Sequence, residues 1–363
     1  MIDAPVERSA LPCFDPPRWL RNPHVQTALA GFLPVSRVEG LQAHWFELTD
    51  GDRLRLVWAR APVAGAVAEL PARPLVLLIH GLGGTARSRY LQGVIRRLWQ
   101  RGIDAVLLEC RGASDEPNRL SRAYHAAAWD DLDEVISAVR AWYPQRPLLA
   151  VGYSLGGSIL LNWLALRPAQ ALSGAVAVSV PFELDACAGV MERGVGRIYQ
   201  WHLLRRVRQL AVEKFRHRDD GPLPVAAIAR LRSIRGFDEA LTAPLHGFAS
   251  AADYYQRASC RPRLCAIGQP TWIVHAADDP LIPAASIPTP QELSPSVGLL
   301  CQRHGGHVGF VGNRGEDRRW QHWLDEAVVH LLAGLLRGEA PGADGPTARH
   351  LPQCVTLPRV SIS

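Results

Sequence analysis

Four strand-like runs, most followed by a stretch of helical spacing, constrain this chain more than any other feature. Residues 75–79, 105–108 and 148–151 are apolar on consecutive rather than alternate positions, as strands are when both faces of their sheet are covered. Residues 174–180 are again β-rich, and helical patterns stand at 88–100, 130–142 and 158–166. Strand and helix in alternation imply a parallel sheet with helices on both faces. Ahead of the series, residues 43–48 and 53–59 flank Thr49-Asp50-Gly51-Asp52, a tight-turn signal, so a hairpin is expected there.

The alternation breaks near Pro181. From there to Gln269 the chain reads as helical and irregular, residues 271–275 and 299–302 restore strands, and 320–336 reads as a closing amphipathic helix. The expected organisation is an N-terminal extension over 1–40 packed on the core, a core of 41–180 and 270–337, a helical cap or lid over 181–269, and a flexible tail over 338–363. Residues 62–74, rich in Ala and Pro, read as a surface loop.

With 48% hydrophobic and 20% charged residues among 363, the chain has what a large buried core requires. The net charge of +6 rests almost wholly on arginine, because Lys214 is the only lysine. Schiff-base and P-loop chemistry therefore fall away unless Lys214 is recruited, and no G-x-x-x-x-G-K surrounds it. One basic cluster, 201–218, reads first as a solvated helix face and second as a peripheral contact for anionic lipid. No zinc-finger or RNA-binding signature accompanies it, so nucleic acid is not an expected partner. Seven irregularly spaced cysteines, no apolar leader region and no window of 18 uninterrupted apolar residues point to reduced thiols in a cytoplasmic protein without a transmembrane helix.

Where the run 148–151 meets its helix stands Gly152-Tyr153-Ser154-Leu155-Gly156, a G-x-S-x-G sequence. A serine on so tight a turn needs small neighbours, and it is raised above the sheet edge with free N–H groups of a helix start behind it. A glycine-rich turn with an incidental serine is the bland alternative, disfavoured by the strand–turn–helix context. At the end of 75–79 comes His80-Gly81-Leu82-Gly83-Gly84, whose glycines admit a substrate close to the backbone. The N–H groups of Leu82 and Leu155 are the candidate oxyanion donors. Gly81 to Ala86 also fits the dinucleotide fingerprint G-x-G-x-x-A, with Glu109 where a ribose-binding acid would stand. Two β stretches precede it, however, and that reading leaves the serine turn unexplained.

A nucleophilic serine needs a base, and the base an orienting acid, in the chain order serine, acid, histidine. The loop Ala277-Asp278-Asp279-Pro280 offers Asp279 as the preferred acid and Asp278 as its alternative. The loop His304-Gly305-Gly306-His307-Val308-Gly309-Phe310 offers His307, inside its glycine cluster, as the preferred base. A zinc pair of His304 and His307 is disfavoured for want of a third ligand nearby in sequence. Tyr153, Phe248 and Tyr254 are candidate substrate-binding residues, and Tyr199, Trp201, Phe215, Phe237 and Tyr255 are further aromatics available to wall an acyl chain. The chemistry requires no cofactor and no metal.

With these residues in place, the chain resembles the YheT-like branch of the α/β-hydrolases, which is similar to the mammalian abhydrolase-domain lipases. The resemblance runs from about residue 19 to residue 332. Besides the loops above, it rests on Asn22-Pro23-His24-Val25-Gln26-Thr27, Arg111-Gly112 with Asn118 and Tyr124-His125, Phe237-Asp238 through Thr242, Gly247-Phe248 and Tyr254-Tyr255. It implies an α/β-hydrolase fold with a mostly parallel sheet and a helical lid. It also implies a triad of Ser154, Asp279 and His307, and hydrolysis of carboxylic esters, with acylglycerols or phospholipids as substrates in some members. One departure is Ala126-Ala127, where Ser-Gly is expected. Structural roles are expected for Asn22 as a helix cap with Pro23 at the first position, Arg111 as a loop tether and Tyr254-Tyr255 as lid packing. The expected partner is a small ester with an apolar acyl chain. A non-catalytic scaffold of this fold that binds lipid or protein is the alternative from another class, and a dinucleotide-binding oxidoreductase stands further off.

Overall fold

The computed structural model describes residues 11, 13–33, 35–61, 73–167, 172–314, 320–339 and 341. Most of the expected loop 62–74 and of the tail 338–363, Cys354 included, lies outside them. Eight strands form one sheet: β1 (Gln42–Glu47), β2 (Arg53–Ala59), β3 (Leu75–Ile79), β4 (Asp104–Glu109), β5 (Leu148–Tyr153), β6 (Gly174–Val178), β7 (Thr271–Ala276) and β8 (Val297–Gln302). Their spatial order is β1-β2-β4-β3-β5-β6-β7-β8. β1 and β2 form the expected antiparallel hairpin, β2 also runs antiparallel to β4, and every later pairing is parallel.

The consecutive apolar runs are buried on both faces because successive side chains point to opposite sides of a strand. Leu75, Leu77 and Ile79 of β3 pack with α3 (Trp129–Trp142) and α4 (Leu155–Leu166). Val76 and Leu78, between them, pack with α2 (Arg89–Gln100) and the C-terminal helix Trp323–Leu336. Each such side chain contributes about 1.5–3 kcal/mol through burial, and the two layers fix the sheet from both sides.

Between β6 and β7 the chain is helical, with α5 (Leu184–Met191), α6 (Gly196–Phe215), several short turns and the helix Ala251–Ala258. This segment closes over the C-terminal ends of the central strands. Leu184, Ala188, Tyr254 and Tyr255 pack on Leu155, while Met191 and Val207 pack on Leu82. Ahead of the sheet lies α1 (Pro23–Phe32), capped as expected: the Asn22 side chain accepts from the N–H groups of His24 and Val25, and Pro23 occupies the first position. One boundary differs from the sequence reading. Residues 320–322 are not the start of the last helix but a short strand, Trp320–His322, antiparallel to Val311–Arg314. Backbone pairing with the segment that leaves the histidine loop outweighs the helical spacing there. No described helix is long and apolar enough to cross a membrane.

Candidate active site

Ser154 ends β5 and begins α4 with φ 51° and ψ −120°. A non-glycine residue held there costs about 1–3 kcal/mol, which the surrounding packing must offset. Small neighbours are obligatory. A methyl group on Gly152 would lie 2.5 Å from the Gly156 carbonyl oxygen, and one on Gly156 would lie 2.5 Å from the carbonyl oxygens of Ile79 and His80. Among the described residues, the other non-glycine residues with positive φ are Ser179, Val308 and Phe310. Backbone strain is therefore concentrated around one place: the Val308 N–H donates to Ser179 Oγ at 3.1 Å, and the Ser154 N–H to the Val178 carbonyl at 2.8 Å.

His307 Nε2 lies 3.0 Å from Ser154 Oγ, and His307 Nδ1 lies 2.8 Å from Asp279 Oδ2. A carboxylate only accepts, so the imidazole carries its proton on Nδ1 and presents Nε2 as an acceptor to the serine hydroxyl. The Asp279 side chain is shut off from solvent, and its Oδ1 accepts the Leu281 N–H at 2.9 Å. The adjacent acid serves a parallel pair. Asp278 Oδ2 faces His304 Nδ1 at 3.2 Å, and its Oδ1 accepts the Gly306 N–H at 3.0 Å. Asp279 is thus the acid that meets His307, while Asp278 shapes the loop that carries it.

The loop after β3 has its backbone donors assigned one by one. The Gly81 N–H donates to Tyr90 Oη at 3.0 Å, the Gly83 N–H to Tyr124 Oη at 2.6 Å, and the Gly84 N–H to the Gly81 carbonyl at 3.0 Å. His80, fully buried, donates from Nδ1 to the Gly81 carbonyl at 2.7 Å and accepts the Cys110 N–H on Nε2 at 3.0 Å. Burial holds its pKa below the ordinary range, opposed by the bond to Gly81, which suits a neutral ring in this role. The Leu82 N–H is left over. It and the Leu155 N–H make no hydrogen bond to described residues, and both residues line the cavity above Ser154. Glu109, the acid expected in a ribose site, is committed elsewhere: its carboxylate takes the Arg55 guanidinium at 2.6 Å and the Ala86 N–H at 2.8 Å.

Residues that motif reading left without a role bear directly on His307. Thr27 Oγ1 accepts the His307 N–H at 2.9 Å and donates to the Pro23 carbonyl at 2.8 Å. Gln26, fully buried, donates to the carbonyls of Leu20 and Val311 and accepts the Val311 N–H, at 2.7–2.8 Å throughout. Gly306 of the histidine loop must be small because α1 lies on it: a methyl there would stand 2.6 Å from both the Pro23 carbonyl and Thr27 Oγ1. The signal for this brace in the sequence was the N-terminal run 22–27 itself, but nothing local says what it touches.

Arg111 ties the floor of the site together. Its guanidinium reaches Asp50 and Asp52 of the β1–β2 turn at 2.7 and 2.8 Å and Asp131 of α3 at 2.6 and 3.0 Å. Asn118 binds Asp52 at 2.5 Å and accepts from Lys214 Nζ of α6 at 2.7 Å, so the tether extends into the helical segment above. Lys214 is buried rather than solvated, and burial pushes its pKa down to about 7 against the opposing field of Asp52.

A cavity of about 540 Å³ rises from Ser154 and His307. Met191, Val207, Phe215, Phe237 and Leu241 of the helical segment give it apolar walls, and Lys214 and His246 also border it. Of the candidate substrate-binding residues, Tyr153 and Tyr254 border the cavity, Tyr254 accepting the Ala126 N–H at 3.0 Å. Phe248 does not: it stands behind the wall, 5.2 Å from the Tyr254 ring and under the Arg257 guanidinium. Tyr199 and Trp201 also lie outside the lining, because they sit on the outward and α1-facing sides of α6.

A mostly parallel eight-stranded sheet, a serine on a strained strand–helix turn and a helical segment above it define an α/β-hydrolase. The profile of the family described as serine aminopeptidase, S33 (Hydrolase_4), matches residues 71–298, and the chain belongs to this family. Over 331 residues it is 36% identical to the protein named "Putative esterase YheT" of Escherichia coli (strain K12), covering 90% of this chain and 95% of that protein. It is 30% identical over 323 residues to phospholipase ABHD3 of Bos taurus, covering 88% and 78% respectively. The crystal structure of 2,6-dihydroxy-pseudo-oxynicotine hydrolase shares the fold, with a TM-score of 0.51 at 17% identity over 88% of this chain and 74% of that one. The protein is an esterase- or lipase-type hydrolase.

Proposed function

We propose that the protein hydrolyses carboxylic esters with an apolar acyl chain by two-step acyl transfer on Ser154. The observation that carries this reading is the unbroken chain Ser154 Oγ–His307–Asp279, 3.0 and 2.8 Å long, on the floor of an apolar cavity.

In the first step Ser154 Oγ attacks the ester carbonyl as His307 Nε2 takes its proton, and Asp279 stabilises the imidazolium without itself being protonated. The Leu82 and Leu155 N–H groups receive the oxyanion; a donor of this kind is worth about 3–4 kcal/mol in the transition state. His307 then returns its proton to the leaving alkoxide, the alcohol departs, and the acyl group remains on Ser154. Water then gives a proton to His307 and attacks the acyl carbon; the bond to Ser154 Oγ breaks, His307 returns the proton to that oxygen, and the acid is released. The cavity supports an apolar acyl group because its walls are aliphatic and aromatic and its volume lies within the range of drug-sized ligands. Domain roles fit the same reading, with residues 181–269 as the lid that supplies those walls and excludes water from the intermediate.

The test is a panel of aryl esters of increasing acyl length, run with the unaltered protein and with Ser154→Ala, Asp279→Asn and His307→Ala. Turnover of the longer esters, lost in all three variants, is the expected pattern. Full turnover by Ser154→Ala would end the proposal.

A further inference from the structure

Eight large apolar side chains are exposed among the described residues, and six of them belong to two neighbouring elements: Trp19, Val25 and Phe32 on or just before α1, and Val195, Ile198 and Trp201 at the start of α6. The exposure is substantial, 77% for Phe32, 64% for Ile198, 58% for Trp19 and 57% for Trp201. The two elements touch, since His24 Nδ1 and Tyr199 Oη are 2.9 Å apart with their rings stacked. Helical spacing aligns each set. Val25 and Phe32 are seven apart on one stripe of α1, and Val195, Ile198 and Trp201 follow each other at steps of three. Gln26 and Gln200, off these stripes, are buried and mark the inward sides of the two helices.

The active-site cavity reaches both elements, its lining including Ala30 and Gly31 of α1 and His202 and Leu203 of α6. The charge of this ridge outside ion pairs of described residues is positive. Arg18, Arg193, Arg197 and Arg205 are exposed, and none forms an ion pair with a described residue; Arg205 lies over the Trp201 ring at 5.7 Å. The acids nearby are already engaged, Asp15 with Arg21 and Glu192 with Arg235. Beyond Trp201 and Arg205, the basic run 201–218 adds little to this surface. Lys214 is buried, Arg208 caps the carbonyls of Ala229 and Leu231, and Arg218 pairs with Asp220.

We propose that this ridge docks the protein on an anionic lipid bilayer, with the apolar side chains in the boundary between headgroups and acyl chains and the arginines on the phosphates. A second copy of the chain is the poorer occupant, because a self-complementary contact would set arginine against arginine. Docking here sets the two helices that wall the cavity against the lipid, so that an acyl chain has a short path from bilayer to cavity. That purpose rests on the ester-hydrolase reading, whereas the binding itself does not.

The experiment is co-sedimentation of the full chain, as Ser154→Ala so that no substrate is turned over, with vesicles of phosphatidylcholine alone or mixed with phosphatidylglycerol. Binding to the mixed vesicles is expected, about tenfold or more weaker on phosphatidylcholine or at high salt. The triple variant Phe32→Glu/Ile198→Glu/Trp201→Glu should lose it, and Arg193→Gln/Arg197→Gln should weaken it. Trp142→Glu, at an exposed apolar position elsewhere, should not. In the Ser154-intact background the triple variant should hydrolyse a short, water-soluble ester at the unaltered rate, which shows that it is folded. Absence of vesicle binding, binding indifferent to the triple variant, or a dimer in solution that the triple variant abolishes would each overturn the proposal. Vesicle binding without any esterase activity would remove the functional reading and leave the docking face standing.

Discussion

Thr27 and Asp279 hold the two ends of the same histidine, one through its backbone and the other through its ring. Thr27→Val keeps the side-chain shape but strands the His307 N–H, an unsatisfied donor that costs about 1–3 kcal/mol at the one loop whose height over Ser154 matters. The expected result is a kcat lowered about 10- to 100-fold with KM little changed, and Thr27→Ser restoring it. Steady-state kinetics on an aryl ester check this, and an unchanged kcat would remove the positioning role. Asp279→Asn should be far more severe, about four orders of magnitude in kcat, because an amide that donates to Nδ1 selects the wrong tautomer. Asp278→Asn leaves that ring untouched, so comparison of the two variants by kcat separates the neighbouring acids.

At the scale of elements, the helical segment and the sheet are joined through Arg111. Replacing it with methionine leaves Asp52 and Asp131 buried without their cation, a loss of about 3–5 kcal/mol that denaturant unfolding should read as a lower midpoint. A midpoint within error of the unaltered protein would show that the two acids find other partners. The elements themselves differ in how openly the sequence declares them. β3, β4 and β5 are legible because a doubly covered strand is apolar on consecutive positions, and the serine turn is legible because its glycines stand together between a strand and a helix, although the carbonyls that require Gly156 belong to the distant Ile79 and His80. The last helix was drawn three residues too early, since helical spacing is blind to a strand partner. The purpose of α1 was not legible at all. Its Thr27 acts on a residue 280 positions away, and no local pattern carries such a contact. Phe248 and Lys214 failed for the same reason. An aromatic residue and a basic run look alike whether they face a cavity, a wall or water, and only the packing of the helical segment decides.

For the whole molecule, the layer opposite the active-site helix carries a buried acid with thermodynamic consequences. Asp325, on the C-terminal helix and packed on Gly93, has its pKa pushed up to about 8 by burial, with Arg97 opposing. The folded protein then keeps a proton that the unfolded chain, with an ordinary carboxyl, has already released above about pH 4. Stability from this group is complete below that point and declines as pH rises towards 8. Asp325→Asn removes the slope, so the melting temperature of the variant relative to the unaltered protein should climb between about pH 5 and about pH 8. A constant difference across that range would show Asp325 to titrate normally. On the proposed mechanism, the sheet, the strained turn and the braced histidine loop serve one chemical event, the formation of an ester between Ser154 and the acyl group. The most direct measurement is to quench the protein with acid during turnover of a slowly hydrolysed acyl ester and to weigh its peptides. A mass increment equal to the acyl group on the peptide containing Ser154, absent from Ser154→Ala, is expected; turnover with no acyl group on that peptide, or with the increment on another residue, would contradict it.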